Sequence, residues 1–382
     1  MTVPELASTT EPLGPGLPSF HRSLPSSDSA PSGTIIASEA FDFDGVPGRA
    51  WRVAYTSRSI DDQPIVVTGL VILPAGTAPT GGWPILSWAH GTTGIGDICA
   101  PSADTSRMTP ARGVTAAGYA FVATDYEGLG TLGRHPYLVG ESEARSTLDI
   151  ALAASRVREW NTGRNVAVWG HSQGGHAALF TPSIATQYLA EINVAAVVAG
   201  APPSGLDGFA LNDESVALRP FSILVALAFN GIDPERAPLE AALSPVGVEL
   251  ALQSTQSCNV DVHAAVNALP PNSRVTKSTP TEEWRELLRA NDPQFIDSPS
   301  SVPTLIIHGT EDELIPLEKS LTLHRRFCEL GRPTELWIGD GRDHSTIVSA
   351  TFSKMMQWIS SNIALSGDRD VEPGPGVSRT LC

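Results

Sequence analysis

The sequence lacks any apolar run of the roughly 20 residues that a membrane-spanning helix needs, so we expect no integral membrane association. Basic residues are also scarce. The 25 Lys and Arg stand against 41 Asp and Glu, which gives a formal net charge of −16. Because nucleic acids and anionic membranes would repel so acidic a chain, we expect neither as a partner. The charge says nothing about the chemistry.

Cysteine is rare as well, and the four residues Cys99, Cys258, Cys328 and Cys382 lie far apart without a Cys-x-x-Cys pair. This spacing argues against a compact zinc site and leaves free thiols or up to two disulfides. Disulfides would indicate an oxidising compartment, whereas residues 1–25 show no secretory signal and so favour the cytosol. These two indications would be reconciled if the sequence were a mature form from which a signal had been removed.

With 382 residues, of which 41% are apolar, the chain can bury a large core. Three strand-like runs come first, joined by short turns and expected to be antiparallel: Thr34–Phe43, Ala50–Ser57 and Pro64–Leu73. Six short Val/Ile-rich runs resemble buried parallel strands: Trp83–Ala89, Tyr119–Thr124, Asn165–Trp169, Val194–Val198, Val302–Ile307 and Thr334–Ile338. Helical patterns separate most of these runs: Thr105–Ala117, Ser142–Trp160, Gly174–Leu189 and Ser345–Ile363. This alternation predicts an α/β fold, with helices on both faces of a mostly parallel sheet.

The alternation stops between residues 206 and 299, where only helical patterns occur: Ser215–Phe229, Pro238–Gln253, Val262–Leu269 and Thr281–Ala290. So long a helical stretch between two strands predicts an inserted cap that divides the core into 34–205 and 300–366. Such caps usually build the ligand pocket, although a helical subdomain can also serve packing alone. Aperiodic Pro-rich sequence predicts an extended arm at 1–33 and a tail at 367–382.

The sequence Gly-His-Ser-Gln-Gly at 170–174 contains a Gly-x-Ser-x-Gly pattern. In a chain with 34 glycines such a pattern can arise by chance, so its setting decides its meaning. It falls between the predicted strand that ends at Trp169 and the helix that begins at Gly174, where a strained turn can expose a nucleophile. We therefore interpret Ser172 as a nucleophile, with the N–H of Gln173 placed to stabilise an oxyanion.

A serine nucleophile needs a histidine base, and the histidine needs a carboxylate that orients it. In a sheet with such a turn, the carboxylate and then the histidine follow the serine, each just after a strand. His344 follows the last of the parallel runs, and Asp312 comes three residues after Gly309 in the preceding turn. We favour Asp312 over its neighbours Glu311 and Glu313.

Three other histidines compete with His344 as the base: His171, His176 and His308. His171 and His176 flank the serine in sequence, but we expect the turn to point them away from it. A packing or capping role is the better interpretation of both.

A second oxyanion donor should come from the loop after an earlier strand, here His-Gly-Thr-Thr-Gly at 90–94. Thr92 or Thr93 would be the donor, and a plain glycine turn is the alternative. The Gly-x-Gly-x-x-Gly pattern at 128–133 resembles a dinucleotide site, but Pro136 interrupts the helix that such a site requires. We expect no organic cofactor, and no His, Cys or Asp cluster has metal-ligand spacing.

Five elements occur in a joint order that is far more specific than any one of them: Trp-Ala-His-Gly-Thr-Thr-Gly at 88–94 with Cys-Ala-Pro-Ser at 99–102, Asp-Tyr-Glu-Gly-Leu-Gly at 125–130, Gly-His-Ser-Gln-Gly-Gly at 170–175, His-Gly-Thr-Glu-Asp at 308–312 and Asp-His at 343–344. On these motifs, and over roughly residues 30–382, the chain resembles the secretory lipase family of α/β-hydrolases, the yeast lipase A type and its actinobacterial relatives. The resemblance implies the α/β-hydrolase fold with a helical cap.

Carried over by position, the resemblance implies a triad of Ser172, Asp312 and His344, with the N–H of Gln173 as one oxyanion donor. Thr93 stands where the yeast-type members have an acidic oxyanion residue. This departure leaves open whether Thr93 uses its hydroxyl as well as its N–H.

The family's cysteine pattern implies the bridges Cys99–Cys258, between cap and core, and Cys328–Cys382, at the tail. It thereby favours an exported protein.

The sequence thus predicts a serine carboxylic ester hydrolase, a lipase or esterase, that cleaves small-molecule or lipid esters with apolar acyl or aryl groups through an acyl-enzyme. An acyltransferase with the same triad is an alternative, and so is a catalytically silent binding module of the same fold. Acyl length, stereoselectivity and oligomeric state stay open.

Overall fold

The computed structural model describes residues 16–26, 30–43, 49–208, 210–211, 215–270, 272–277, 280–363 and 370–382. Within these ranges, ten strands form one sheet: β1 (Ile35–Phe41), β2 (Ala50–Arg58), β3 (Pro64–Ile72), β4 (Trp83–Ala89), β5 (Ala120–Thr124), β6 (Thr162–His171), β7 (Asn193–Gly200), β8 (Thr304–Gly309), β9 (Thr334–Gly339) and β10 (Val377–Leu381). Their order across the sheet is β1-β2-β3-β5-β4-β6-β7-β8-β9-β10.

The sheet is mostly parallel, as the sequence predicts. The neighbours from β5 through β4, β6, β7 and β8 to β9 run parallel, whereas β1, β2 and β3 form an antiparallel extension beside β5. The carboxyl ends of β4, β6, β8 and β9 therefore lie along one edge of the sheet. Loops that follow these strands are brought together there, however far apart they are in sequence.

The described α-helices are α1 (Ser19–Arg22), α2 (Ala111–Ala116), α3 (Gly140–Arg156), α4 (Gln173–Ile184), α5 (Arg219–Ile232), α6 (Leu239–Ala242), α7 (Pro245–Gln253), α8 (Asn259–Asn267), α9 (Glu282–Ala290), α10 (Leu317–Glu329) and α11 (Thr346–Ile363). Helices α2 and α11 pack on one face of the sheet, and α3, α4 and α10 pack on the other. Neighbouring residues of one strand pack in different apolar clusters, one on each face of the sheet. Leu86 of β4 packs in the cluster that contains residues of α2 and α11, whereas Ile85 packs with residues of α3 and α4. A strand buried on both faces needs the continuous apolar sequence that these runs have.

The segment between β7 and β8 contains helices α5 to α9, and no strand of the sheet is described within it. Its apolar residues form a cluster of their own around fully buried Trp284, and this cluster also takes in Tyr137 and Leu138 from the core. The segment therefore has an interior of its own that is joined to the core near residue 138.

Several elements differ from the expectations. The helix expected at Pro238–Gln253 is two helices, α6 and α7. The helix expected at Thr105–Ala117 is divided into a 3₁₀ turn, Thr105–Arg107, and the short helix α2, because Pro110 has no N–H to continue the helical hydrogen bonds. The tail expected at 367–382 contains β10, which pairs antiparallel with β9. The disulfide between Cys328 and Cys382 lies directly after this strand, and the second disulfide joins Cys99 to Cys258. Both pairings agree with those that the family resemblance implied.

The N-terminal arm expected at 1–33 lies largely outside the described residues. Its described part includes α1, whose His21 is buried and bonded through Nε2 to Ser102 Oγ at 2.9 Å. This end of the arm is therefore packed on the core.

Candidate active site

Ser172 occupies a strained turn between β6 and α4. Its backbone has φ 57° and ψ −121°, a region that a side chain other than glycine rarely adopts. The Ser172 N–H donates to the carbonyl of Gly200 at 2.8 Å, which fixes the turn to the end of β7. At Gly174 a β-carbon would lie 1.9 Å from the carbonyl oxygen of Ala89, so only glycine allows α4 to begin this close to β4.

The loops after β8 and β9 bring Asp312 and His344 together. Nδ1 of His344 and Oδ2 of Asp312 are 2.7 Å apart, and the Asp312 carboxylate is buried. Because the carboxylate can only accept, Nδ1 carries the hydrogen and the lone pair of a neutral ring is on Nε2. A ring in this state can take a proton from a hydroxyl group.

Further hydrogen bonds hold the Asp312 carboxylate in place. Its Oδ1 accepts from the backbone N–H groups of Leu314 at 2.9 Å and Ile315 at 2.8 Å. Burial alone would raise the pKa of Asp312, but hydrogen bonds from His308 and His344 outweigh burial and hold the pKa below its usual range. Asp312 is therefore ionised at neutral pH.

The rival histidines have other partners. His308 is fully buried, with Nδ1 2.7 Å from Ser320 Oγ, and its Nε2 lies 2.8 Å from the carbonyl oxygen of Ile315 and 3.4 Å from Oδ2 of Asp312. His176 is also fully buried, with Nδ1 2.9 Å from Oε2 of Glu143 and Nε2 2.7 Å from the carbonyl oxygen of Asn291. Neither ring has a nitrogen left for a substrate.

His171 departs from the expectation that it points away from the site. Its ring packs against that of His344, with centroids 4.4 Å apart. Burial, reinforced by His344, lowers the pKa of His171 to about 3, so the ring is neutral near pH 7. This contact places His344 against the residue that directly precedes Ser172.

The loop after β4 runs beside the turn that carries Ser172. A β-carbon at Gly91 would lie 3.9 Å from Cβ of Ser172. Two residues on, the Thr93 hydroxyl is buried and has no hydrogen-bond partner among the described residues. Thr92, the other candidate, is bonded through Oγ1 to Tyr137 OH at 2.9 Å. The available hydroxyl in this loop is therefore that of Thr93.

The same loop is fastened to the helical segment. The N–H of Asn259 donates to the Thr93 carbonyl at 2.8 Å, and Gly94 forms a β-bridge with Cys258. The Cys99–Cys258 disulfide closes the same contact. The helical segment therefore holds the loop that carries Thr93.

A pocket of about 430 Å³, including its opening to solvent, lies over Ser172. Mostly apolar residues line it: Tyr137, Leu138, Ser172, Pro203, Ala210, Leu218, Phe221, Val225, Leu314 and Ile315. Among these, Phe221 and Val225 belong to α5 of the helical segment. The sequence indicated the apolar helix, but not that Tyr137 and Leu138 also line the pocket.

The glycine-rich stretch at 128–133 is a loop, with positive φ at Gly128, Gly130 and Gly133. Asp125 before it is fully buried and accepts from Thr68 Oγ1 at 2.7 Å and from the N–H of Ser102 at 2.8 Å. Asp125 thus braces β3, which carries Thr68, against the loop that carries Ser102.

Comparisons with known proteins agree with the family and the fold that the sequence resembles. A family model described as secretory lipase matches residues 107–368. Lipase 6 of Candida albicans is 25% identical over 273 residues, which cover 65% of this chain and 56% of the lipase. A probable inactive lipase of Mycobacterium tuberculosis is 26% identical over 276 residues, which cover 67% of this chain and 61% of that protein. Against three lipases of C. albicans, the chain spans 56%, 65% and 48% of their length.

The crystal structure of Candida antarctica lipase A has the same fold, with a TM-score of 0.74 at 19% identity, covering 95% of this chain and 88% of that structure. Among the described residues, no helix combines the length and the apolar character needed to cross a bilayer.

Proposed function

Because the chain belongs to the secretory lipase family, we propose that it is a carboxylic ester hydrolase in which Ser172 is the nucleophile, His344 the base and Asp312 the carboxylate that orients the base. The observation that carries the proposal is the meeting of the strained Ser172 turn with the His344–Asp312 pair, through the contact of His344 with His171. The apolar pocket over Ser172 supports substrates with apolar acyl or aryl groups.

In the proposed reaction, Nε2 of His344 takes the proton of the Ser172 hydroxyl as Oγ attacks the ester carbonyl. The negative charge on the carbonyl oxygen is stabilised by the N–H of Gln173 and by Thr93. His344 then gives its proton to the departing alcohol, which leaves an acyl group on Ser172. Water activated by His344 releases the acid and restores the hydroxyl. Asp312 stays ionised and stabilises the transient imidazolium.

The helical segment between β7 and β8 is the proposed cap, at about 206–299. Its α5 lines the pocket and its Cys258 is bonded to Cys99 of the core, both of which support this role. The two disulfides and the family support a protein that acts outside the cytosol, where such bonds persist.

The test is a series of p-nitrophenyl esters of increasing acyl length, with Ser172→Ala as the control. We expect the variant to lose turnover by at least about a thousandfold while its circular dichroism stays unchanged. Covalent labelling of the wild-type protein by a fluorophosphonate probe, and its loss in Ser172→Ala, would identify the nucleophile. Turnover retained in the variant would refute the proposal. Absence of turnover and labelling in the wild type would favour a silent module, as the name of the mycobacterial relative implies for that protein.

A further inference from the structure

A buried carboxylate on α3 contacts the first turn of α4, directly after Ser172. Glu143 is fully buried, and its Oε1 accepts from the Gln173 side-chain amide at 2.9 Å and from the backbone N–H of Leu138 at 3.0 Å. Its Oε2 lies 2.9 Å from Nδ1 of His176, which is also fully buried. One carboxylate thus connects two residues of α4 with the pocket wall.

The protons of this cluster follow from its geometry. The carbonyl oxygen of Asn291, 2.7 Å from Nε2 of His176, can only accept, so Nε2 carries a hydrogen. The short contact between Nδ1 and Glu143 Oε2 requires one more proton. Glu143 and His176 together are therefore electrically neutral. The shared proton joins Nδ1 of His176 to Oε2 of Glu143, and Nε2 of His176 donates to the Asn291 carbonyl oxygen. A buried acid is tolerated here because it has a partner that shares its proton.

The Gln173 side chain is held from two sides. Its amide nitrogen donates to Glu143 and also lies 2.8 Å from Nε2 of His135. His135 donates from Nδ1 to the carbonyl oxygen of Glu127 at 2.9 Å, so its Nε2 is free to accept. The opposite amide orientation would put an oxygen against the carboxylate, which excludes it. Gln173 therefore has a single orientation, and it is the residue whose N–H is the proposed oxyanion donor.

The proposed mechanism assigns no role to Glu143 or His176. Resting on the proposed function, we infer that Glu143 and His176 are a positioning pair for the ester-cleaving site. Their bonds fix the first turn of α4 and, with it, the direction of the Gln173 N–H and the strained turn of Ser172. An oxyanion donor acts only when its hydrogen points at the developing charge, so a loose helix start reduces kcat before it affects substrate binding.

The substitution Glu143→Gln should preserve the cluster. An amide oxygen can accept from Leu138 and Gln173 as Oε1 does, and the amide nitrogen can donate to Nδ1 of a neutral His176. Glu143→Ala removes all three bonds. Asp149→Ala is the matched control, since Asp149 is another buried carboxylate of α3, bonded to Ser57 Oγ at 2.7 Å and to Tyr188 OH at 3.1 Å. None of its described partners belongs to α4.

The readout is kcat and KM for p-nitrophenyl acetate, whose short acyl group makes little use of the pocket. We expect kcat of Glu143→Ala to fall about 10- to 100-fold with KM nearly unchanged. Glu143→Gln and Asp149→Ala should stay within about threefold of wild-type kcat. Thermal unfolding should show both alanine variants to be less stable than wild type. If Glu143→Ala does not fold, His176→Phe replaces it, with the same expected loss of kcat.

Two outcomes would overturn the inference: equal kcat values for Glu143→Ala and Asp149→Ala, or a loss in Glu143→Gln as large as in Glu143→Ala. Both are interpretable because wild type and Ser172→Ala are measured first. A wild type without turnover would contradict the proposed function, whereas an active wild type with an unaffected Glu143→Ala would contradict the positioning role alone.

Discussion

The side chain of Thr93 is a buried hydroxyl without a partner among the described residues, in the loop that runs beside Ser172. An unpaired buried hydroxyl costs free energy, and a negatively charged substrate oxygen would satisfy it. The unpaired hydroxyl supports the proposal that Thr93 stabilises the oxyanion through its hydroxyl and not only through its N–H. The sequence had left that choice open.

We expect Thr93→Val, which keeps the shape and the N–H but removes the hydroxyl, to lower kcat about 10- to 100-fold. Thr93→Ser should retain most of the activity. The measurement is kcat against KM for a p-nitrophenyl ester. Wild-type kcat in Thr93→Val would leave the backbone N–H as the only donor at this position.

Asp149 gives a prediction for stability against pH. Burial raises the pKa of its carboxyl to about 6 from 3.8, although bonds from Ser57 and Tyr188 oppose the rise. Between about pH 4 and 6, the folded protein therefore holds a proton on Asp149 that the unfolded chain has lost. As pH rises through this range, the titration of Asp149 lowers the free energy of unfolding.

Asp149→Asn removes this titration. We therefore expect the free energy of unfolding of the variant, minus that of wild type, to increase by at most about 3 kcal/mol between about pH 4 and 6. Above pH 7 this difference should be constant. Denaturant unfolding at several pH values measures the difference. A difference that does not change with pH would show that the pKa of the Asp149 carboxyl is the same in the folded and unfolded states.

At the scale of elements, the loop after β4 and the helical segment form one unit. Gly94 bridges Cys258, and a β-carbon at Gly94 would lie 2.5 Å from Cα of Cys258. Besides covering the pocket, the helical segment therefore fixes the loop that carries Thr93. The Cys99–Cys258 bond spans 159 residues and closes this contact, whereas Cys328–Cys382 spans 54 and ties α10 to the end of β10.

Removing each disulfide in turn gives two double variants that can be compared. Cys99→Ala with Cys258→Ala and Cys328→Ala with Cys382→Ala should each destabilise the fold by about 2–5 kcal/mol. Only the first pair should also lower kcat, measured well below both unfolding temperatures, because only that bond lies beside the loop that carries Thr93, a proposed oxyanion donor. Equal kcat values in the two double variants would mean that the backbone bonds of Thr93 and Gly94 suffice to hold the loop.

At the scale of the whole molecule, the net charge of −16 governs how the protein approaches a substrate. We expect an ester carried in anionic micelles to be hydrolysed more slowly than the same ester in neutral micelles. The difference should shrink as salt rises above about 0.1 M, where the Debye length falls below about 10 Å. A small soluble ester is the control, and its turnover should not depend on salt in this way. Faster hydrolysis in anionic micelles would indicate a basic surface around the pocket that outweighs the overall charge.

The sequence alone determined the alternating strands and helices, the Ser172 turn between β6 and α4, and the chain order of Ser172, Asp312 and His344. These features are local, since each depends on the pattern of a few neighbouring residues and on the position of one strand. The sequence also predicted that Asp312 orients His344, but only the tertiary structure set His171 against His344 and joined Glu143 to His176. Those contacts join residues of different strands, helices and loops, and packing decides which side chains meet. Strand β10 was missed for the same reason, because a short polar segment becomes a strand only when the edge of β9 is there to pair with it.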